Sequence, residues 1–236
     1  MNKLAIEQAL EKQQQFFELV VPFDRSKDKL LSLDLTEANK EITEEMMEDV
    51  AHFTHHINDK LAEAGARYAV GGYGEHRTIY AGSPVFDAKN GSDEPRRLHL
   101  GTDIWGKPYT AVKSPMDGIV HSFAFNNAFG DYGPTIILSH RLDNCTIHTL
   151  YGHLSLNSLK NIHEGQHIEK GEIFAEFGIS MENGHWPPHL HFQLIIDMLH
   201  YNGDYPGVCS PAEKDIYLEN SPDPELVLQL NKHIIK

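Results

Sequence analysis

The sequence predicts an α+β fold in which a mainly antiparallel β domain follows an N-terminal helical segment. Apolar residues in the first third recur at helical spacing. From about Tyr68, short β-rich runs such as GIVHSFAF and PTIILSH alternate with turns that contain glycine. After Asp197 the chain is rich in Pro and Gly. We therefore expect an N-terminal helical region at 1–67, a β domain at 68–197 and a tail of loop and one short helix at 198–236.

The best helical pattern in the first region is predicted to begin at Thr36 and to end at Gly65. Threonine is a favourable N-cap, and glycine readily adopts the left-handed conformation that ends a helix. Three histidines on this segment have no partner spacing that closes a metal site. We interpret them as residues of the helix surface: His52, His55 and His56.

Composition excludes several classes of protein. The chain has 236 residues, of which 40% are hydrophobic, enough for one sizeable core with a smaller attached unit. Its net charge of -14 disfavours nucleic acid and anionic membranes as partners, because both attract Lys and Arg.

The same composition predicts a compartment. No apolar run suits a signal peptide or a membrane span, so we expect the chain as given in the cytoplasm; a missing leader would instead make it periplasmic or secreted. Cys145 and Cys209 lie far apart in no CxxC arrangement, which predicts two unpaired thiols.

The string HEGQH at 163–167 matches the zinc pattern H-E-x-x-H. That pattern needs a helix, whereas Gly165 and Gly171 each cost a helix about 1 kcal/mol relative to Ala. In a strand, His163 and His167 would be roughly 13 Å apart, too far to share one metal ion. The segment is therefore predicted to be a hairpin that binds no metal.

Three other segments carry residues suited to metal chemistry. In HLGTD, Gly101 allows a bend that can aim His99 and Asp103 at one point. In PPHLHFQLII, His189 and His191 project from one face of a strand whose other face is apolar. Burying two polar imidazoles among apolar residues costs free energy unless a metal ion or a hydrogen-bond network satisfies them. The third segment, YGHLS, places a single histidine after an alternating run.

These three motifs, in this order and spacing, resemble the signature of the lysostaphin and LytM type of zinc endopeptidase. The resemblance covers roughly residues 97–196, and the runs SPMDGIV and HEGQHIEKGEIFAEFG are similar to the connecting strands of that family. It implies a lysostaphin/LytM-like β domain, a Zn²⁺ cofactor, and hydrolysis of the peptide cross-links of bacterial peptidoglycan.

The same resemblance implies the roles of individual residues. His99, Asp103 and His191 would be the zinc ligands, leaving the fourth position open to water as in catalytic zinc sites. His153 and His189 would be the catalytic pair. One of them accepts a proton from the attacking water, and together they stabilise the oxyanion or protonate the leaving amine.

Other interpretations stay open at this stage. The run EGQHIEKGEIFAEFG also resembles biotinyl and lipoyl carrier domains, although the Met-Lys pair of such carriers is absent from the matching turn. A binding module without activity and a cytosolic zinc hydrolase of small peptides or amides are further alternatives. Arg77 is a candidate for binding a substrate carboxylate, with a plain salt bridge as the favoured interpretation. The expected partner is a peptide substrate, with no nucleic acid and no membrane span, and the oligomeric state is not predicted.

Overall fold

The structure is a computed structural model that describes residues 3–80, 85–87 and 94–235. Its described residues form five α-helices: α1 Lys3–Gln13, α2 Glu44–Glu48, α3 Val50–Ala64, α4 Lys214–Asn220 and α5 Glu225–Leu228. None of the helices in these ranges is long and apolar enough to cross a membrane.

The predicted helix start at Thr36 is wrong. Thr36 forms an antiparallel bridge with Arg77. The long helix α3 begins instead after Asp49, whose carboxylate accepts hydrogen bonds from the amides of the first helical turn and so caps it. Its predicted end is correct, because Gly65 has φ 58° and closes α3 in the left-handed conformation.

The described residues also form twelve strands: β1 Leu30–Ser32, β2 Tyr68–Gly71, β3 Leu98–His99, β4 Thr102–Trp105, β5 Ala111–Lys113, β6 Gly118–Asn126, β7 Gly133–Leu142, β8 Cys145–Gly152, β9 His167–Ile168, β10 Ile173–Glu176, β11 His189–Ile195 and β12 Val208–Cys209. Eight of these strands form one sheet in the order β1-β2-β4-β11-β8-β7-β6-β9. Every pairing in it is antiparallel except that of β1 with β2. The predicted fold class, α+β with a mainly antiparallel β domain and an N-terminal helix, is therefore confirmed.

Residues from all three predicted regions share one apolar core. Ile6 and Leu10 of α1 pack in the same cluster as Phe192 of β11 and Val227 of α5. In addition β1, which lies in the region expected to be helical, pairs with β2. The termini are therefore packed against the β domain, and the domain boundaries themselves stay predictions.

The tail after Asp197 contains more regular structure than predicted. Besides α5, close to the expected short helix, it contains α4 and the strand β12. β12 pairs with β3 through Val208 opposite His99. This pairing was not predicted from the sequence, because a strand of two residues is too short to show the alternating pattern of a strand.

The HEGQH segment forms a turn followed by β9 and contains no helix. Gly165 and Gly171 have φ 81° and 79°, the left-handed region that glycine adopts without strain. His163 and His167 are both exposed. The predicted turn and strand are confirmed, but the predicted hairpin is wrong, because β9 pairs with β6 and the next strand, β10, pairs with β5.

Candidate metal centre

Three side chains converge at the centre of the sheet. His99 Nε2 lies 3.0 Å from His191 Nδ1, His191 Nδ1 lies 3.1 Å from Asp103 Oδ1, and Asp103 Oδ1 lies 3.4 Å from His99 Nε2. All three residues are buried. Among the described residues they form the one group of three or more His, Cys, Asp or Glu side chains whose ligand atoms could hold a metal ion.

Strand register explains this convergence. β4 and β11 are antiparallel neighbours with Asp103 opposite His191, so the two side chains leave the same face. Leu190 on the opposite face of β11 is fully buried in the core, as the alternating pattern predicts. Between His99 and Asp103, a Cβ at Gly101 would lie 2.6 Å from the His191 ring, so only glycine permits the close approach of this ring to the chain.

The donor set fits zinc. With bonds of about 2.0–2.1 Å, the ligand atoms of a tetrahedral zinc ion are roughly 3.3 Å apart. The distances of 3.0, 3.1 and 3.4 Å between the three donor atoms are close to that separation. Two imidazoles and a carboxylate with an open fourth position are also the ligand types of catalytic zinc sites.

Outer hydrogen bonds orient each of these donors. His99 donates from Nδ1 to the carbonyl of Gly72 at 3.0 Å, which leaves Nε2 as its ligand atom. His191 has Gln193 Oε1 3.0 Å from Nε2, which leaves Nδ1 as its ligand atom. Asp103 accepts a hydrogen bond from Arg77 on Oδ2, which leaves Oδ1 facing the two histidines.

The ionisation of His99 and Asp103 suits a metal. Burial lowers the pKa of His99 to about 4, so the imidazole is neutral and its lone pair is available at neutral pH. Burial would raise the pKa of Asp103, but the neighbouring His99 and Arg77 outweigh it and hold that pKa well below its usual value. Asp103 therefore stays ionised inside the protein.

The two expected catalytic histidines stack beside this cluster. The ring centroids of His153 and His189 are 4.1 Å apart. Each ring donates from Nδ1 to a carbonyl, that of Asn183 at 2.8 Å and that of Pro187 at 2.7 Å, so that each Nε2 is free to accept a proton. Trp105 packs flat against His189 at 3.9 Å and fixes the plane of its ring.

Burial sets the charge of this pair. It lowers the pKa of His189 to about 4 and that of His153 well below its usual value, so both rings are neutral at neutral pH. His189 Nε2 lies 4.0 Å from Asp103 Oδ1. A proton taken up by His189 would therefore be stabilised by a nearby carboxylate.

The structure brings together all five site residues predicted from the sequence, and it adds others. Arg77 forms ion pairs with Glu75 and Asp103, the interpretation that the sequence favoured. Gln193 and Trp105 were not predicted from the sequence. Each lies two residues from a predicted site residue on the same strand, so the alternation of side chains along a strand could have indicated both. The histidines at 163 and 167 are not part of the cluster.

A cavity of about 300 Å³ opens onto this centre. Tyr80 and Trp186 line it and pack edge to face, with ring centroids 6.0 Å apart. Asp131 and Asp204 line it as well. The cavity therefore offers both aromatic and acidic contacts to a ligand that approaches the metal centre.

Comparison with known proteins agrees with this geometry. Residues 97–203 match the model of peptidase family M23. Over 107 residues the chain is 35% identical to an L-Ala--D-Glu endopeptidase of Bacillus subtilis (strain 168), a match that covers 43% of this chain and 31% of that relative. The chain thus spans about a third of the length of that relative. The segment that carries the three motifs is therefore similar to this peptidase family, as the resemblance predicted.

Two solved structures are also similar. The catalytic domain of lysostaphin from Staphylococcus simulans shares 21% identity over 68% of this chain and 96% of that chain, with a TM-score of 0.39. A zinc-containing peptidase from Vibrio cholerae shares 26% identity over 46% of this chain and 30% of that chain, with a TM-score of 0.34. Both TM-scores are too low to support an argument from these structures. The support for the site therefore comes from the family match and the local geometry.

Proposed function

We propose that residues 97–203 form a zinc-dependent endopeptidase domain that hydrolyses peptide bonds in peptidoglycan stem peptides. The observation that supports this most strongly is the convergence of His99, Asp103 and His191, beside a stacked pair of neutral histidines, within the segment that matches the peptidase family. The substrate class is supported by the named activity of the Bacillus relative.

The chemistry follows from the positions of the side chains. When bound, zinc supplies a Lewis acid that polarises the scissile carbonyl and lowers the pKa of a water. Of the neutral pair His153 and His189, one accepts the proton of the attacking water, and the pair stabilises the oxyanion or returns a proton to the leaving amine. The backbone carbonyls that hold both Nδ1 atoms keep each Nε2 directed at the reacting groups.

The test is incubation of the zinc-loaded protein with cross-linked muropeptides, followed by mass spectrometry of the products. His153→Ala and His189→Ala should each lower the cleavage rate by roughly 10²–10⁴-fold, the contribution of a positioned acid or base. Their zinc content should stay unchanged, because neither residue is a proposed ligand. His163→Ala is the matched control, since His163 is exposed before β9 and lies outside the cluster.

The outcomes separate substrate from mechanism. Full activity of both variants with zinc bound would contradict the roles proposed for the two histidines. Cleavage of a cytosolic peptide library and not of muropeptides would favour the small-peptide hydrolase instead. The compartment stays a prediction from the sequence, and fractionation of cells that express the native gene would measure it.

A further inference from the structure

A short segment that precedes the family match contacts two of the proposed zinc ligands. Residues 71–77 begin at the last residue of β2, which is the neighbour of β4 in the sheet. The carbonyl of Gly72 accepts the hydrogen bond from His99 Nδ1, the carbonyl of Glu75 accepts from the His99 amide at 2.9 Å, and the Gly74 amide donates to the His99 carbonyl at 2.9 Å. The backbone and ring of His99 are therefore both held by this segment.

Arg77, at the end of the same segment, holds Asp103. Its Nη1 donates to Asp103 Oδ2 at 2.5 Å and to the Tyr80 hydroxyl at 3.0 Å, and its Nε donates to Glu75 Oε2 at 2.7 Å. The side chain has no exposure to solvent. With Oδ2 engaged by the guanidinium, Oδ1 is the carboxylate oxygen left for an ion shared with the two histidines.

The charge of Arg77 cannot itself favour a cation, because two positive charges repel each other in a buried site. Any benefit to zinc binding must therefore come from its position. Groups that hydrogen-bond metal ligands restrict the orientation of those ligands, and their loss typically weakens metal binding by about 10–100-fold.

Gly71 leaves the space that the Arg77 guanidinium occupies. A Cβ at Gly71, which is paired with Asp103 across the strands, would lie 2.8 Å from Arg77 Nη2. Gly71 has no positive φ, so alanine is compatible with the backbone at this position.

We propose that Arg77 is a positioning residue of the metal centre: it holds Asp103 so that Oδ1 faces the ion, and Gly71 makes room for it. The inference depends on the zinc site of the proposed function. It extends that site to a segment outside residues 97–203.

The experiment measures the zinc affinity of the full chain by competition with a fluorescent chelator. Gly71→Ala keeps every charge but displaces the guanidinium, and should weaken zinc binding about 10-fold or more. His163→Ala, at an exposed histidine outside the cluster, is the control and should bind zinc as the unchanged chain does. Arg77→Lys keeps the charge but has no planar fork to hold Asp103 and Glu75 together, and should also weaken binding.

Thermal unfolding of the metal-free variants shows which of them are folded, and Arg77→Lys tests the inference if Gly71→Ala does not fold. Zinc affinities of folded Gly71→Ala and Arg77→Lys equal to that of the unchanged chain would overturn the positioning role. Muropeptide cleavage is measured in parallel. No cleavage by the unchanged chain together with the expected order of affinities would overturn the endopeptidase and leave the role of Arg77 supported.

Discussion

His140 makes the stability of the fold depend on pH. The ring lies in β7 with 1% of its surface exposed, donates from Nδ1 to the carbonyl of Asp117 at 2.9 Å, and has the Thr149 hydroxyl 2.7 Å from Nε2. Burial lowers the pKa of His140 from 6.5 to about 4. The folded protein therefore keeps this ring neutral at a pH where the unfolded chain protonates it.

The magnitude follows from these two pKa values. Between pH 6.5 and 4 the unfolded chain binds more protons than the folded one, so the free energy of unfolding falls as the pH falls. The contribution of His140 is fully present above pH 6.5. About 2 kcal/mol of it should be lost by pH 5 and about 3 kcal/mol by pH 4.

The assay is urea unfolding of the metal-free protein at pH 7, 5 and 4, so that zinc release does not contribute. His140→Gln, which cannot titrate, should lose about 3 kcal/mol less between pH 7 and 4 than the unchanged chain does. His163→Gln is the control, because its side chain is exposed, and should show the same pH dependence as the unchanged chain. Equal pH dependence of all three proteins would refute the buried neutral state of His140.

Three further substitutions test the turns and the metal centre. Gly184→Ala should destabilise the protein by about 3 kcal/mol or more in thermal unfolding, because φ is 87° and the added Cβ would lie 1.8 Å from the Asp131 carbonyl oxygen. Gly165→Ala should cost only about 1 kcal/mol, since φ is 81° but nothing lies within 4 Å; an equal loss at both positions would contradict the steric argument. Gln193→Leu should weaken zinc binding about 10-fold or more, because it removes the 3.0 Å hydrogen bond of His191 Nε2 and leaves the longer one, at 3.4 Å, to the Tyr132 hydroxyl. An unchanged affinity in chelator competition would exclude this role of Gln193.

Local patterns predicted the parts of the site that lie within one element. The spacing of two in HLHF placed His189 and His191 on one face because side chains alternate along a strand, and Gly165 and Gly171 excluded a zinc helix for the same kind of local reason. The helix start at Thr36 was predicted wrongly because its bridge to Arg77 joins residues far apart in the chain. The secondary-structure propensities of neighbouring residues do not indicate a pairing with a distant residue.

By itself the sequence determined the fold class and the left-handed end of α3 at Gly65, since both depend on residue type and short-range spacing. The candidate ligands were implied by the resemblance of three motifs to a known family. Only the tertiary structure decided which atoms of those ligands face a metal. That choice depends on hydrogen bonds between distant segments, from His99 to the Gly72 carbonyl and from Arg77 to Asp103. It depends as well on burial, which lowers the pKa of His99 and which exists only when the strands are assembled.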